Sequence, residues 1–177
     1  MRKKRPVGWF IFILIFTFAV AFGIGLASEF FNANSIIICV VIILVLMLLA
    51  FLGDIVAVAV VTADLAPFNA MASRKIKGAR VCVRLIKNSD KVSSILSDVL
   101  GDVCGIVSGA IGASLAIILM AKGDFTAFEQ VLVAVTVTAV IAAVTVSVKS
   151  LAKKIAIKNS TKIVFAVGKF ISLFTKN

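Results

Sequence analysis

Apolar and polar positions along the chain come in blocks rather than in alternation. Val7 to Ala27 is an almost unbroken apolar run. Ile36 to Leu52 is another, and after Gly53-Asp54 it resumes as far as Ala63. A third runs from about Ser94 to Ala121 and a fourth from about Ala127 to Val148. A helix rises about 1.5 Å per residue, so about 20 residues cover the roughly 30 Å hydrocarbon core of a bilayer. The blocks therefore predict four transmembrane helices. The second, Ile36 to Ala63, is longer than the bilayer needs and must tilt or protrude. Short polar loops, Ser28 to Ser35 and Lys122 to Gln130, join the first helix to the second and the third to the fourth.

Two further segments change period. Pro67 lacks an N–H and disfavours helix at Ala66, so the second helix is predicted to end at Asp64-Leu-Ala-Pro67. Over 67–93 the pattern is that of one amphipathic helix. Lys77, Arg80, Arg84, Lys87 and Lys91 form a basic stripe, and Ile76, Ala79, Cys82, Val83 and Ile86 lie opposite. Near the C-terminus Asn159-Ser160-Thr161 can cap a last helix. In it Lys162, Lys169 and Lys176 repeat every seven residues, opposite Ile163, Val167, Phe170 and Phe174. Both segments have the character of helices lying in a membrane interface.

Charge fixes an orientation for these blocks. All but one of the nineteen Lys and Arg residues fall in three clusters: Arg2 to Arg5, Arg74 to Lys91 and Lys149 to Lys176. Lys122 stands alone. By the bias of basic residues toward the cytoplasm, all three clusters face inward and both termini are cytoplasmic. The expected location is the cytoplasmic membrane, with multiple passes. The chain is 62 % hydrophobic with a mean hydropathy of +1.18, well above the roughly half-apolar composition of soluble domains. The net charge of +11 is then explained by anionic inner-leaflet lipid rather than by nucleic acid, for which no soluble binding face exists. The first run is longer than a signal-peptide core, so it reads as an uncleaved span, with cleavage near Ala27-Ser28 as the alternative.

Several chemistries find no support. The chain has no histidine and three isolated cysteines, Cys39, Cys82 and Cys104, which do not make a zinc, haem or iron–sulfur site. No serine or cysteine stands beside a plausible base, and no glycine pattern matches a phosphate loop, so no enzyme activity is expected.

Four acids lie in or beside the apolar runs: Asp54, Asp64, Asp98 and Asp102. A charge at mid-bilayer costs at least about 2.5–3.5 kcal/mol, so each needs a partner. Counted from the inner ends of two consecutive antiparallel helices, Asp54 and Asp102 fall at similar depth. Asp98 lies one turn from Asp102. Carboxylate and hydroxyl oxygens without nitrogen or sulfur suit a hard divalent cation. Asp54 and Asp102 are the candidate primary metal ligands, with Asp98, Ser97 and Thr145 assisting and Ser108 and Thr138 as further neutral oxygens. The alternative is structural: each acid bonds a neighbouring hydroxyl or a basic residue at the inner rim. Gly101, Gly105 and Gly109 form a small-residue stripe that predicts a close helix contact.

Three segments carry a family resemblance: PFNAMASRKIKGARVCVRLIKNSDKVSSILSD, LGDVCGIVSGAIGASLAIIL and VTVSVKSLAKKIAIKNSTKIVFAVGKFISLF. From about Asp54 onward the chain resembles the transmembrane domain of the CNNM/CorB/CorC magnesium-transport family, in a stand-alone form without CBS domains. The resemblance implies a three-span core over 36–150, a C-terminal juxtamembrane helix over 151–177, and residues 1–35 as an added tail, span and loop. It also implies a homodimer that moves Mg²⁺ across the membrane with Na⁺ as a possible second ion. In that family, serine, asparagine and glutamate oxygens of the core spans hold the Mg²⁺. Here the glutamate position falls on Thr145, the asparagine position on Asp102, and the serine-rich start of the first core span near Gly53-Asp54. The expected function is divalent-cation transport through a mid-membrane oxygen site. The rival is a non-transporting membrane scaffold or accessory subunit that keeps the fold, and a holin-like pore is a third option.

Overall fold

The computed structural model describes residues 7–31 and 36–174. The N-terminal basic cluster, part of the first polar loop and Lys176 lie outside the described residues. Among those described, every element is helical: α1 (Val7–Phe31), α2 (Ile36–Thr62), α3 (Leu65–Ser73), α4 (Ala79–Lys87), α5 (Ser89–Ser93), a π-helical segment (Ser94–Gly101), α6 (Asp102–Met120), α7 (Ala127–Lys158) and α8 (Ser160–Phe174). Four stretches are long and apolar enough to cross a membrane: Gly8–Ala27, Ile36–Thr62, Ser89–Met120 and Ala127–Lys158. Each overlaps one of the four predicted runs, though the third begins earlier and the fourth ends later than the runs did. The third is a continuous rod made of α5, the π segment and α6.

α2 is the hub, touching α4, α5, the π segment, α6, α7 and α8, whereas α1 leans mainly on α6 and the π segment. Cys39, Ile43, Leu46 and Ala50 line one face of α2 at intervals of three and four, and they meet Val103, Cys104, Val107 and Ile111 of α6. A second cluster gathers at the other end of α2. There Ala59, Val60 and Ala63 meet Phe68 of α3, Cys82 of α4, Ala156 of α7 and Val164 of α8. The outward faces carry large uncovered apolar side chains, among them Leu44 and Leu48 on α2, Ile106 on α6 and Val135 and Val146 on α7. So much uncovered apolar surface is foreign to a protein surrounded by water.

Two predicted elements differ. The single amphipathic helix over 67–93 is instead three helices and a turn. Pro67 does not stop a helix; it sits in the first turn of α3, where no N–H is needed. Asp64 caps that turn, its Oδ1 accepting from the Ala66 N–H at 3.1 Å. The chain then reverses through Lys75 and Gly78, both in the left-handed region with φ of 57° and 88°. Gly78 is required twice over, since a Cβ there would also come 3.0 Å from the backbone of Lys169. The basic side chains Arg80, Arg84, Lys87 and Lys91 are exposed as the pattern predicted, and Cys82 is buried.

The last span runs to Lys158 rather than ending near Val148, so the C-terminal helix begins only at Ser160. That helix is not a solitary interfacial element. α8 lies against α4 and α2. Its buried face is Val164 and Gly168, while Phe170 is exposed. The reason is local: Cys82 Sγ donates to the Val164 carbonyl at 3.3 Å, and only a glycine at 168 leaves room for that sulfur. Across the bundle, Lys91 Nζ lies 5.2 Å from the centre of the Trp9 ring, which ties the start of α1 to α5.

Candidate functional site

Asp54 sits about two-thirds of the way along α2, directly after Gly53. The glycine lets the π segment approach: a Cβ on Gly53 would stand 3.0 Å from the Leu96 carbonyl oxygen and 3.4 Å from Leu100 Cδ2. Gly101 does the same from the opposite helix, where a Cβ would stand 3.2 Å from Asp54 Oδ1. Two glycines on facing helices thus bring backbone against backbone and leave the Asp54 carboxyl pressed between them.

The result is a carboxyl group that is only 2 % exposed. Ser97 Oγ donates to Asp54 Oδ1 at 2.6 Å, the length typical of a hydroxyl bonded to a carboxylate. Asp54 Oδ2 is buried with no hydrogen-bond partner among the described residues. A buried polar atom left in that state carries a substantial desolvation penalty. The backbone opposite is π-helical from Ser94 to Gly101. π turns are rare and concentrate at functional sites, because the wider turn redirects side chains and carbonyls.

The other candidate residues are placed differently. Asp102 is exposed and accepts from Lys149 Nζ of α7 at 2.8 Å. The predicted pairing of Asp54 with Asp102 across a shared site is therefore replaced by two separate contacts, Asp54 with Ser97 and Asp102 with Lys149. The physical reason is proximity of charge: the Lys149 ammonium of α7 comes within 2.8 Å of the Asp102 carboxylate at the start of α6. Asp98 is exposed, and Thr145 donates to the Ile141 carbonyl of its own helix at 2.8 Å. Ser108 is buried with an unpartnered Oγ on α6. Among the described residues no three His, Cys, Asp or Glu side chains come close enough together to hold a metal ion.

Sequence reasoning named Asp54 and Ser97 separately but missed that they bond each other. Ser97 lies 43 positions from Asp54, and nothing in the spacing marks the π segment that joins them. The pairing of Asp102 with Lys149 was not named either; the sequence offered only that an acid could pair with some basic residue near the inner rim. Comparison of the chain with protein-family models, with curated proteins and with solved structures finds no match.

Proposed function

We propose that this is a multi-pass protein of the cytoplasmic membrane, with both termini inside, that carries a cation across the bilayer by way of Asp54. One observation carries the reading: a carboxyl group buried in an apolar span keeps one oxygen unpartnered, beside a hydroxyl donor and a π-helical backbone. A structural lock would satisfy both oxygens. An atom left open at such cost is explained by a ligand that occupies it for part of a working cycle. Asp54 is the charged contact, Ser97 the neutral one, and carbonyls of the π segment are the nearest source of further oxygens. Asp102 belongs to the ion pair with Lys149 and helps set how α6 and α7 sit. Mg²⁺ as cargo and a homodimeric assembly are what the CNNM/CorB/CorC resemblance implies; the transport reading of Asp54 does not depend on either.

The rival scaffold or accessory-subunit reading is favoured by a different observation. Lys149 already neutralises the second carboxylate that a divalent site would use. Cation flux into proteoliposomes separates the two. Wild type should pass cation, Asp54→Asn should abolish the flux, and Asp102→Asn should leave it measurable. No flux for either leaves the scaffold reading in its place, and equal flux for wild type and Asp54→Asn takes Asp54 out of the route.

A further inference from the structure

We infer that the ion held at Asp54 carries a single positive charge. The inference rests on the reading of Asp54 as the ion-contact group and adds the class of ion. The argument is one of charge balance in a medium that tolerates little net charge. Asp54 is the only fully buried acid among the described residues. The groups around it are neutral: the Ser97 hydroxyl, the Leu96 carbonyl that abuts Gly53, and the glycine at 101. Asp98 faces outward and Asp102 is held by Lys149. The protein therefore supplies one negative charge. A monovalent cation beside Asp54 makes a neutral pair, whereas a divalent one leaves an uncompensated positive charge buried in lipid.

Coordination chemistry points the same way. Mg²⁺ demands near-octahedral geometry and sheds water reluctantly, and Ca²⁺ takes six to eight oxygens. Around Asp54 the described side chains offer one open carboxylate oxygen and one hydroxyl oxygen, the latter already spending its proton on Oδ1. A weakly hydrated monovalent ion is satisfied by such a site with backbone carbonyls completing its shell. The close approach of Gly53 and Gly101 to the opposite helix brings those carbonyls near, and a side chain at either position would push them away.

Thermal unfolding of the purified full chain in detergent tests this, because an ion that binds only the folded state raises the melting temperature with concentration. Na⁺, K⁺ and Li⁺ are compared with Mg²⁺ and Ca²⁺ at constant ionic strength, with N-methyl-D-glucamine as the inert cation. At least one monovalent ion should raise the melting temperature saturably, and Asp54→Asn should remove that response. Ser97→Ala should weaken the affinity roughly 10–100-fold while keeping the carboxylate, and it carries the test if Asp54→Asn does not fold. A response to Mg²⁺ or Ca²⁺ that needs Asp54, with none to monovalent ions, overturns the inference and leaves the transport proposal standing. A protein whose stability ignores all five ions in both wild type and variants sinks the two together.

Discussion

Lys149 Nζ lies 2.8 Å from Asp102 Oδ1, tying α7 to the first turn of α6. Its exposure decides what it is worth. Asp102 keeps 62 % of its side chain uncovered and Lys149 keeps 27 %. An ion pair open to this degree is screened and contributes about 0–1 kcal/mol. Asp102→Asn and Lys149→Gln should each lower stability by no more than that in thermal unfolding, and the double variant should cost little beyond the worse single one. A loss several times larger for either single variant means that the pair is enclosed in the working assembly.

Glycines on the third span separate into two kinds. A Cβ at Gly105 or Gly109 meets nothing within 4 Å, so of the predicted small-residue stripe only Gly101 makes a close helix contact among the described residues. The tight approaches are at Gly53 and Gly101, and at Gly112, where the Ile141 side chain occupies the space. Gly105→Ala and Gly109→Ala should therefore raise stability by about 0.5–1 kcal/mol each, as glycine replacement inside an unhindered helix does. Gly53→Ala should lower it by about 1–3 kcal/mol, because the atom in its way is the Leu96 carbonyl, a backbone group that cannot rotate aside. Denaturation of the three variants side by side checks the sign of each change.

What the sequence made legible follows from the range over which each signal acts. The four long runs could be read because lipid selects apolar residues position by position, with no knowledge of neighbours. The breaks inside 67–93 could not. They depend on Lys75 and Gly78 adopting left-handed backbone, and Gly78 does so against Lys169, 91 positions away. The contact of α8 with α4 was not legible for a related reason. Periodicity identifies an apolar stripe around Phe170, yet the contact with α4 selects the smallest residue, Gly168, because Cys82 must fit there. At the candidate site, depth counting brought out Asp54 and Asp102 but could not say that each would meet a different partner. Rotation about the helix axis decides that, and the π segment changes the rotation between Ser94 and Gly101 in a way no residue pattern announces.

Cys82 reports on the seam between α4 and α8. The thiol is fully buried and donates to the Val164 carbonyl, and burial pushes its pKa up from the ordinary cysteine value. Reactivity follows the thiolate, so Cys82 should resist maleimide at neutral pH for reasons of both access and charge. Gly168→Ala places a Cβ against that sulfur and should loosen α8 at a cost of about 1–3 kcal/mol. With Cys39 and Cys104 replaced by alanine, the variant should label at Cys82 much faster than its Gly168 parent. Equal labelling rates mean that α8 shifts to accommodate the methyl group and the seam is softer than its contacts imply.

Orientation in the membrane can be settled by two introduced cysteines. The turn between α6 and α7 carries Lys122 and Asp124, and its chain re-enters helix through Thr126, whose hydroxyl and N–H exchange hydrogen bonds with Glu129. That end of the bundle carries little basic charge. The opposite end holds Arg74 to Lys91 and Lys149 to Lys169, so moving it across the membrane against the inside-negative potential would be strongly unfavourable. In a background with the three native cysteines replaced, Asp124→Cys should react with a membrane-impermeant maleimide on intact cells. Ser160→Cys, at the start of α8, should react only after the membrane is opened. The reverse pattern would place the basic helices outside and remove the ground for a cytoplasmic face at α4 and α8. Labelling of both without permeabilisation would contradict four crossings, since α7 crosses once between residues 124 and 160 and must put them on opposite sides of the membrane.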